Sequence, residues 1–142
     1  INIQLLKYEN NELRVEYKDN VIKIEHKMIN LELSLNYKNH NIFFDIFATI
    51  KNKQEVKIIA NGGFDFTNSD LSTKANIIIS DANITAKIKG DKNSITANIN
   101  SNVFSSIDFL SDHLKSIPAL KEWLIDRIKA KSFEIKELFI KY

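Results

Sequence analysis

Alternation of apolar and polar residues dominates the first hundred positions of the chain. In its clearest stretch, from Ile29 to Tyr37, every second residue is apolar. This period of two is typical of strands with one buried face. Phe43 and Phe47 lie out of phase with the apolar residues around them, which predicts one strand buried on both faces. Similar segments recur about every ten residues and predict an antiparallel meander of about ten strands.

Short polar clusters separate the alternating segments. Asp19–Asn20 predicts a tight hairpin turn, and Asn39 lies at a similar break. Asn61–Gly63 carries the strongest turn signal in the chain. The sequence holds only 3 Gly and 1 Pro, so we expect Asn, which tolerates positive φ, to occupy turn positions.

The period changes to helical spacing after residue 102. Val103, Ile107 and Leu110 predict one amphipathic helix, and Pro118 opens a second. The residues expected to pack the second helix on the sheet are Leu120, Trp123, Leu124 and Ile128. The sequence therefore predicts an α+β fold. In it, a largely antiparallel, strongly twisted and curved β-sheet carries a helical hairpin near the C-terminus. Residues 1–142 are expected to form a single domain that is a fragment of a longer protein.

The predicted sheet has more apolar surface than two helices can cover. Strands lie ~4.8 Å apart and a helix is ~10 Å across, so each helix covers about two strands. Three arrangements could shield the other strands: the sheet closes on itself, it packs on a neighbouring domain, or it stays an open groove for an apolar ligand.

A groove requires small residues on its floor, because large side chains would fill it. Ala75, Ala86 and Ala97 alternate with Ile on the expected inner face, although the same residues would also fit beneath helices. The lipid-groove candidates are Ile77, Ile79, Ile84, Ala86, Ile88, Ile95, Ala97 and Ile99.

Composition and motifs exclude several functions. The chain has no cysteine, and its 20 Lys+Arg nearly balance its 18 Asp+Glu, which argues against binding nucleic acid by phosphate neutralisation. His26, His40 and His113 lack metal-ligand spacing, and Asp108 and Asp112 fit a solvated helix face. We therefore expect no catalytic residue, no metal and no cofactor.

Lysines recur on the polar faces of the strands. They are Lys23, Lys57, Lys74, Lys87 and Lys89. Such residues commonly block sheet-to-sheet aggregation, which is the favoured interpretation; the functional alternative is attraction to anionic lipid headgroups or lipopolysaccharide.

The stretch Ile117–Leu124, followed by Ile128 and a returning strand over Phe133–Tyr142, resembles a motif of the AsmA-like superfamily of bacterial envelope proteins. That motif is a Pro–Leu–Trp–Leu helix followed by a strand. The preceding Asn- and Asp-punctuated meander is similar in style. Lys129–Ser132 departs from the pattern, since members of the superfamily often have Gly there.

The resemblance implies a function without catalysis. Such Gram-negative proteins are anchored in the inner membrane, extend through the periplasm, and form a long β-groove with an apolar floor. It implies a membrane-tethered periplasmic segment that binds acyl chains and takes part in phospholipid transport between membranes and in outer-membrane biogenesis. Its partners would be lipid acyl chains, other segments of the same protein, and the membrane through a flanking N-terminal anchor.

Two other readings stay open. The chain could be a structural or protein-binding module of a surface or periplasmic protein, acting by strand addition at a sheet edge. A weaker alternative is a small hydrolase with an unfamiliar site that uses His113.

Overall fold

The structure is a computed structural model that describes residues 5–10, 12–111, 115, 118–122 and 130–142. Ten strands form one antiparallel sheet whose spatial order is the order of the chain. The strands are β1 (Leu5–Glu9), β2 (Leu13–Lys18), β3 (Val21–His26), β4 (Ile29–Lys38), β5 (Asn41–Lys51), β6 (Glu55–Asp65), β7 (Asp70–Ile79), β8 (Ala82–Gly90), β9 (Ile95–Ser101) and β10 (Leu138–Lys141). The predicted antiparallel sheet is confirmed.

The register keeps the alternating pattern in phase from strand to strand. Leu33 lies opposite Ile22 on one side and Ile46 on the other, and Ile46 lies opposite Ala60. Because directly opposite residues point to the same side of a sheet, each apolar set continues the previous one. The sheet therefore has one apolar face and one polar face.

Two-residue turns join several strands. Asp19 and Asn20 have φ of 51° and 63°, and Asn39 and His40 have φ of 50° and 62°. Two consecutive positive φ values match the twist of antiparallel strands. The hairpin predicted at Asp19–Asn20 and the turn predicted at Asn39 are confirmed.

The turn predicted at Asn61–Gly63 is wrong, because β6 runs through these residues without a break. Neither glycine adopts positive φ. A Cβ atom on Gly62 would lie 2.5 Å from the carbonyl oxygen of Ser72 and 2.8 Å from the ring of Phe44. Glycine is needed here because the neighbouring strand and the Phe44 ring approach its backbone closely, and not because the chain turns.

The α+β fold class and the helical hairpin are also wrong: the described chain is nearly all sheet. Among the described residues, helical structure comprises a 3₁₀ turn at Asp108–Leu110, one turn of α-helix, α1, at Pro118–Lys121, and the single positions Lys115 and Glu122. Phe104 forms an antiparallel bridge with Phe133. Starting a helix is costly, and the Ser-, Asn- and Asp-containing segment around Phe104 has weak helix propensity. Backbone pairing with Phe133 and burial of the Phe104 ring therefore outweigh helix formation in this segment.

The residues predicted to pack the second helix are only partly visible. The backbone of Leu120 lies in α1. Trp123, Leu124 and Ile128 lie outside the described residues, as do His113 and Asp112.

The apolar face is not folded onto itself in the described part of the chain. Substantial contacts between strands join only sequence neighbours, and β1 and β10 occupy opposite edges of the sheet. Within the described ranges, no large side chain is fully buried. The sheet predicted as a possible sandwich or barrel is therefore an open layer over these residues.

Candidate apolar binding face

All eight lipid-groove candidates lie together on the apolar face of β7, β8 and β9. Ile77 is opposite Ile84, and Ile88 is opposite Ala97. Ala86 is opposite Ile99. The remaining two, Ile79 and Ile95, extend the same rows at the two ends of these strands.

The apolar face is much wider than this candidate set. It continues without interruption over β2 to β6 and over β10. These strands carry the same alternation, but their residues are not among the predicted lipid-groove candidates. These residues include Val15, Ile22, Ile24, Leu31, Leu33, Leu35, Phe44, Ile46, Ala48, Val56, Ile58, Ala60, Leu138 and Ile140.

Small residues lower the middle of this face. Ala60, Ala75 and Ala86 are directly opposite one another on β6, β7 and β8, and Ile58 and Ile77 border them on one side. Because an alanine side chain is shorter than isoleucine, the three form a shallow track that runs across the strands. The track is apolar along its whole length.

Residues of the apolar face are shielded mainly by one another. Ile24, Leu33, Ile46 and Ile77 are neither buried nor fully exposed. Partial exposure of this kind is what side-by-side aliphatic groups give when no second layer lies on them. The face therefore retains apolar surface that a ligand or partner could cover.

A small cluster covers one end of the apolar face, next to β8. Phe104 and Ile107 are buried and pack against Ala82, which is 0% exposed. The ring centroids of Phe104 and Phe133 are 5.9 Å apart. We call this group, together with Phe109, the end cluster.

Polar contacts hold the end cluster in place. The Asp81 carboxylate accepts a hydrogen bond from the backbone N–H of Ser105 at 2.8 Å, and the Asn102 amide donates to the Asp81 carbonyl at 2.8 Å. Hydrogen bonds from Ser105 lower the pKa of the Asp81 carboxyl. The side-chain Oδ1 of Asn102 also accepts the backbone N–H of Asn83 at 2.7 Å. The chain leaving β9 is thereby turned back over Ala82.

The polar face carries two exposed phenylalanines, which corrects the prediction that β5 is buried on both sides. Phe43 and Phe47 are 50% and 54% exposed. Phe43 lies over Gly63, and Phe47 lies opposite Ile59. Shallow depressions also lie on this face, one of them lined by Phe43, Asp45 and Gly63.

Three of the residues considered as possible metal ligands are described: His26, His40 and Asp108. His26 Nδ1 accepts the N–H of Met28 at 3.2 Å, and His40 lies in a turn. Asp108 begins the 3₁₀ turn. In the ranges that the structure describes, no three His, Cys, Asp or Glu side chains are grouped as a metal site would require. None of the described helices has the length and apolarity to cross a membrane.

No family model, curated protein or solved structure matches this chain.

Proposed function

We propose that this chain is a non-enzymatic, lipid-handling segment whose apolar face binds acyl chains. One observation carries the proposal: a continuous apolar face spans the nine strands β2 to β10, and over the described residues only the end cluster covers part of it. Soluble monomers rarely leave so large an apolar area in water. A hydrophobic ligand that lies on the face would remove this cost.

The open face favours weak, extended binding over a tight pocket. Full burial of an acyl chain gains ~0.8 kcal/mol per methylene. A chain lying on one surface loses about half of its contact with water, so ten methylenes gain roughly 4 kcal/mol. That corresponds to dissociation constants of about 1 mM. Two long chains of a phospholipid would bind more tightly and still be able to slide, which suits transport better than storage.

The resemblance to AsmA-like proteins extends this proposal to a cellular role. The chain would act in the periplasm as part of a protein tethered to the inner membrane, and would carry phospholipid toward the outer membrane for its biogenesis. Fractionation of cells that express the tagged gene tests this role. We expect the protein in the membrane-attached periplasmic fraction, and recovery in the cytoplasm would contradict it.

The decisive test compares two neighbouring isoleucines on opposite faces of β7. Ile77 lies on the apolar face and Ile78 on the polar face, and both are partly exposed. Ile77→Asp puts a charge beneath the proposed acyl chain, whereas Ile78→Asp leaves that face unchanged. Because an unpaired charge against hydrocarbon is costly, we expect Ile77→Asp to weaken binding of a fluorescent fatty acid by about tenfold or more.

Native mass spectrometry of the purified protein provides the second measurement. We expect co-purified phospholipid with the wild-type chain and with Ile78→Asp, and little with Ile77→Asp. Equal lipid content in the two variants would contradict binding at the apolar face. Absence of lipid and of fatty-acid binding in all three proteins would contradict the proposed function itself.

Strand addition is the second candidate function, and the exposed edge strand β10 favours it. All four residues of β10 are exposed. Ile95 and Tyr142 exchange both backbone hydrogen bonds, so alternation leaves the backbone groups of Phe139 and Lys141 pointing away from β9. Phe139→Pro would remove one outward N–H without breaking the existing ladder. Loss of a protein partner in this variant, with lipid binding intact, would favour strand addition.

A further inference from the structure

Lysines gather on the polar face of the last four strands. Lys74 lies directly opposite Lys87 on the neighbouring strand. Lys89 and Lys141 flank Thr96 from its two sides. We call these four residues the lysine patch.

The lysine patch contains one unfavourable pair of like charges. Like charges directly opposite each other on a sheet are unfavourable, yet Lys74 and Lys87 occupy such a pair. Among the residues that the structure describes, no carboxylate forms an ion pair with any of the four. Elsewhere on this face, Lys23 pairs with Glu32 at 3.1 Å.

Two carboxylates that border the patch are engaged in local hydrogen bonds. Glu137 Oε1 accepts the amide of Asn98 at 2.9 Å. Asp91 Oδ1 accepts the backbone N–H of Asn93 at 2.7 Å and that of Ser94 at 2.9 Å. Asp91 also attracts Lys141 electrostatically, so Lys74, Lys87 and Lys89 supply most of the positive charge that the patch offers to an external anion.

An exposed apolar edge adjoins the lysine patch. Phe139 is 62% exposed and Tyr142 is 95% exposed. Leu138 and Ile140 are also exposed. The outward N–H groups of Phe139 and Lys141 would be costly in hydrocarbon, but phosphate oxygens of a headgroup layer could accept them.

We propose that the β10 edge and the lysine patch bind the surface of a bilayer that contains anionic phospholipids. This inference goes beyond acyl binding: it uses the lysine patch on the polar face together with the β10 edge, whose Leu138 and Ile140 belong to the apolar face. With the β10 edge at the boundary between headgroups and acyl chains, Lys141 lies at headgroup level. Lys87 and Lys89 are two strands away, about 10 Å from the edge, which is within the screening length of physiological salt.

A bilayer fits this surface better than a soluble polyanion does. A soluble polyanion would leave the aliphatic side chains of Leu138 and Ile140 in water. A membrane interface covers such side chains and places aromatic rings at headgroup level. The combination of lysines with an apolar edge is typical of peripheral membrane contacts.

Vesicle flotation tests the proposal with the whole chain. We expect binding to vesicles that contain phosphatidylglycerol, weak binding to pure phosphatidylcholine, and release as salt is raised. A triple variant removes three charges of the patch: Lys87→Gln, Lys89→Gln and Lys141→Gln. At roughly fivefold per lysine, its affinity for the anionic vesicles should fall about a hundredfold.

A matched triple variant removes the same net charge at or beside the turns joining β2 to β5: Lys18→Gln at the end of β2, Lys27→Gln between β3 and β4, and Lys38→Gln at the end of β4. We expect its vesicle binding to match that of the wild type. Both variants should keep the wild-type circular dichroism spectrum. Fatty-acid binding should persist in the patch variant, so failure of this proposal is distinguishable from failure of acyl binding.

Three results would overturn the proposal. The first is equal binding to neutral and anionic vesicles. The second is an equal loss of binding in the two triple variants. The third is self-association through the β10 edge, seen by analytical ultracentrifugation without lipid and abolished by Phe139→Pro.

Discussion

Replacing Phe104 with alanine should remove the centre of the end cluster. Phe104 is only 4% exposed. Its ring stacks on Phe133 and lies 6.1 Å from Phe109, measured between ring centroids. The substitution leaves the two backbone hydrogen bonds between Phe104 and Phe133, at 2.8 and 2.7 Å. The loss is therefore confined to side-chain packing.

The expected cost is at the lower end of the range for core phenylalanines. Phe→Ala substitutions in cores cost 3–5 kcal/mol, about 3 where neighbours can relax into the space. Phe109 and Phe133 are only partly buried, so they can relax. For a chain of this length, a loss of ~3 kcal/mol lowers the unfolding midpoint by roughly 10 °C.

Thermal unfolding followed by circular dichroism measures the effect, with Phe139→Ala as the matched control. Phe139 is 62% exposed, and loss of a surface side chain is expected to change stability by less than about 0.5 kcal/mol. Hydrogen exchange shows which strands lose stability. Because substantial contacts between the described strands join only sequence neighbours, we expect protection to fall first in β8 and β9, next to the lost ring.

The reasoning fails if the two variants unfold within about 2 °C of each other, since a separation of ~3 kcal/mol is predicted. It also fails if exchange increases first in β2 to β4. Either result would mean that the end cluster does not stabilise this end of the sheet.

Three further predictions concern single positions. Gly62→Val should destabilise the protein by about 1–3 kcal/mol in urea unfolding, because its Cβ would meet β7 backbone; a loss no greater than that of Gly90→Ala, where the nearest contact is 3.3 Å, would contradict this. Asn10→Ala should cost about 1 kcal/mol, because the Asn10 side chain accepts two backbone N–H groups in the β1–β2 turn; unchanged urea unfolding would argue against it. The folded-state pKa of Asp81 is lowered from 3.8, chiefly by hydrogen bonds from Ser105. The ionised Asp81 carboxylate therefore stabilises the folded state above pH 3.8, and this stabilisation is lost as pH falls through the lowered pKa. Asp81→Asn should flatten stability measured across that acid range, and an unchanged slope would refute the assignment.

The strands and the shared apolar face were predictable because their signal is local. Alternation alone placed β4 at Ile29–Tyr37, and the structure has it at Ile29–Lys38. A period of two also fixes which side chains share a face once the strands pair. The eight lipid-groove candidates accordingly came together, since β7, β8 and β9 each carry the same pattern.

The errors arose where contacts distant in sequence decide the structure. Asn61–Gly63 has turn composition, but the proximity of Ser72 and Phe44 explains its glycine, and neither neighbour is visible in a local window. The apolar spacing around Phe104 fits a helix equally well, and its pairing with Phe133 depends on a segment 29 residues away. Predicting the lysine patch likewise requires the pairing registers from β7 through β10, and alternation does not specify those registers.

Because the strands follow one another in strict chain order, the width of the sheet can change while the residues on its faces stay the same. Each strand pairs only with the one before it and the one after it. Duplicating one hairpin would widen the sheet by about 10 Å while leaving the other pairings intact. Evolution could thus adjust the reach of such a layer by tandem copying, as it does in other repeat architectures, without redesigning a core.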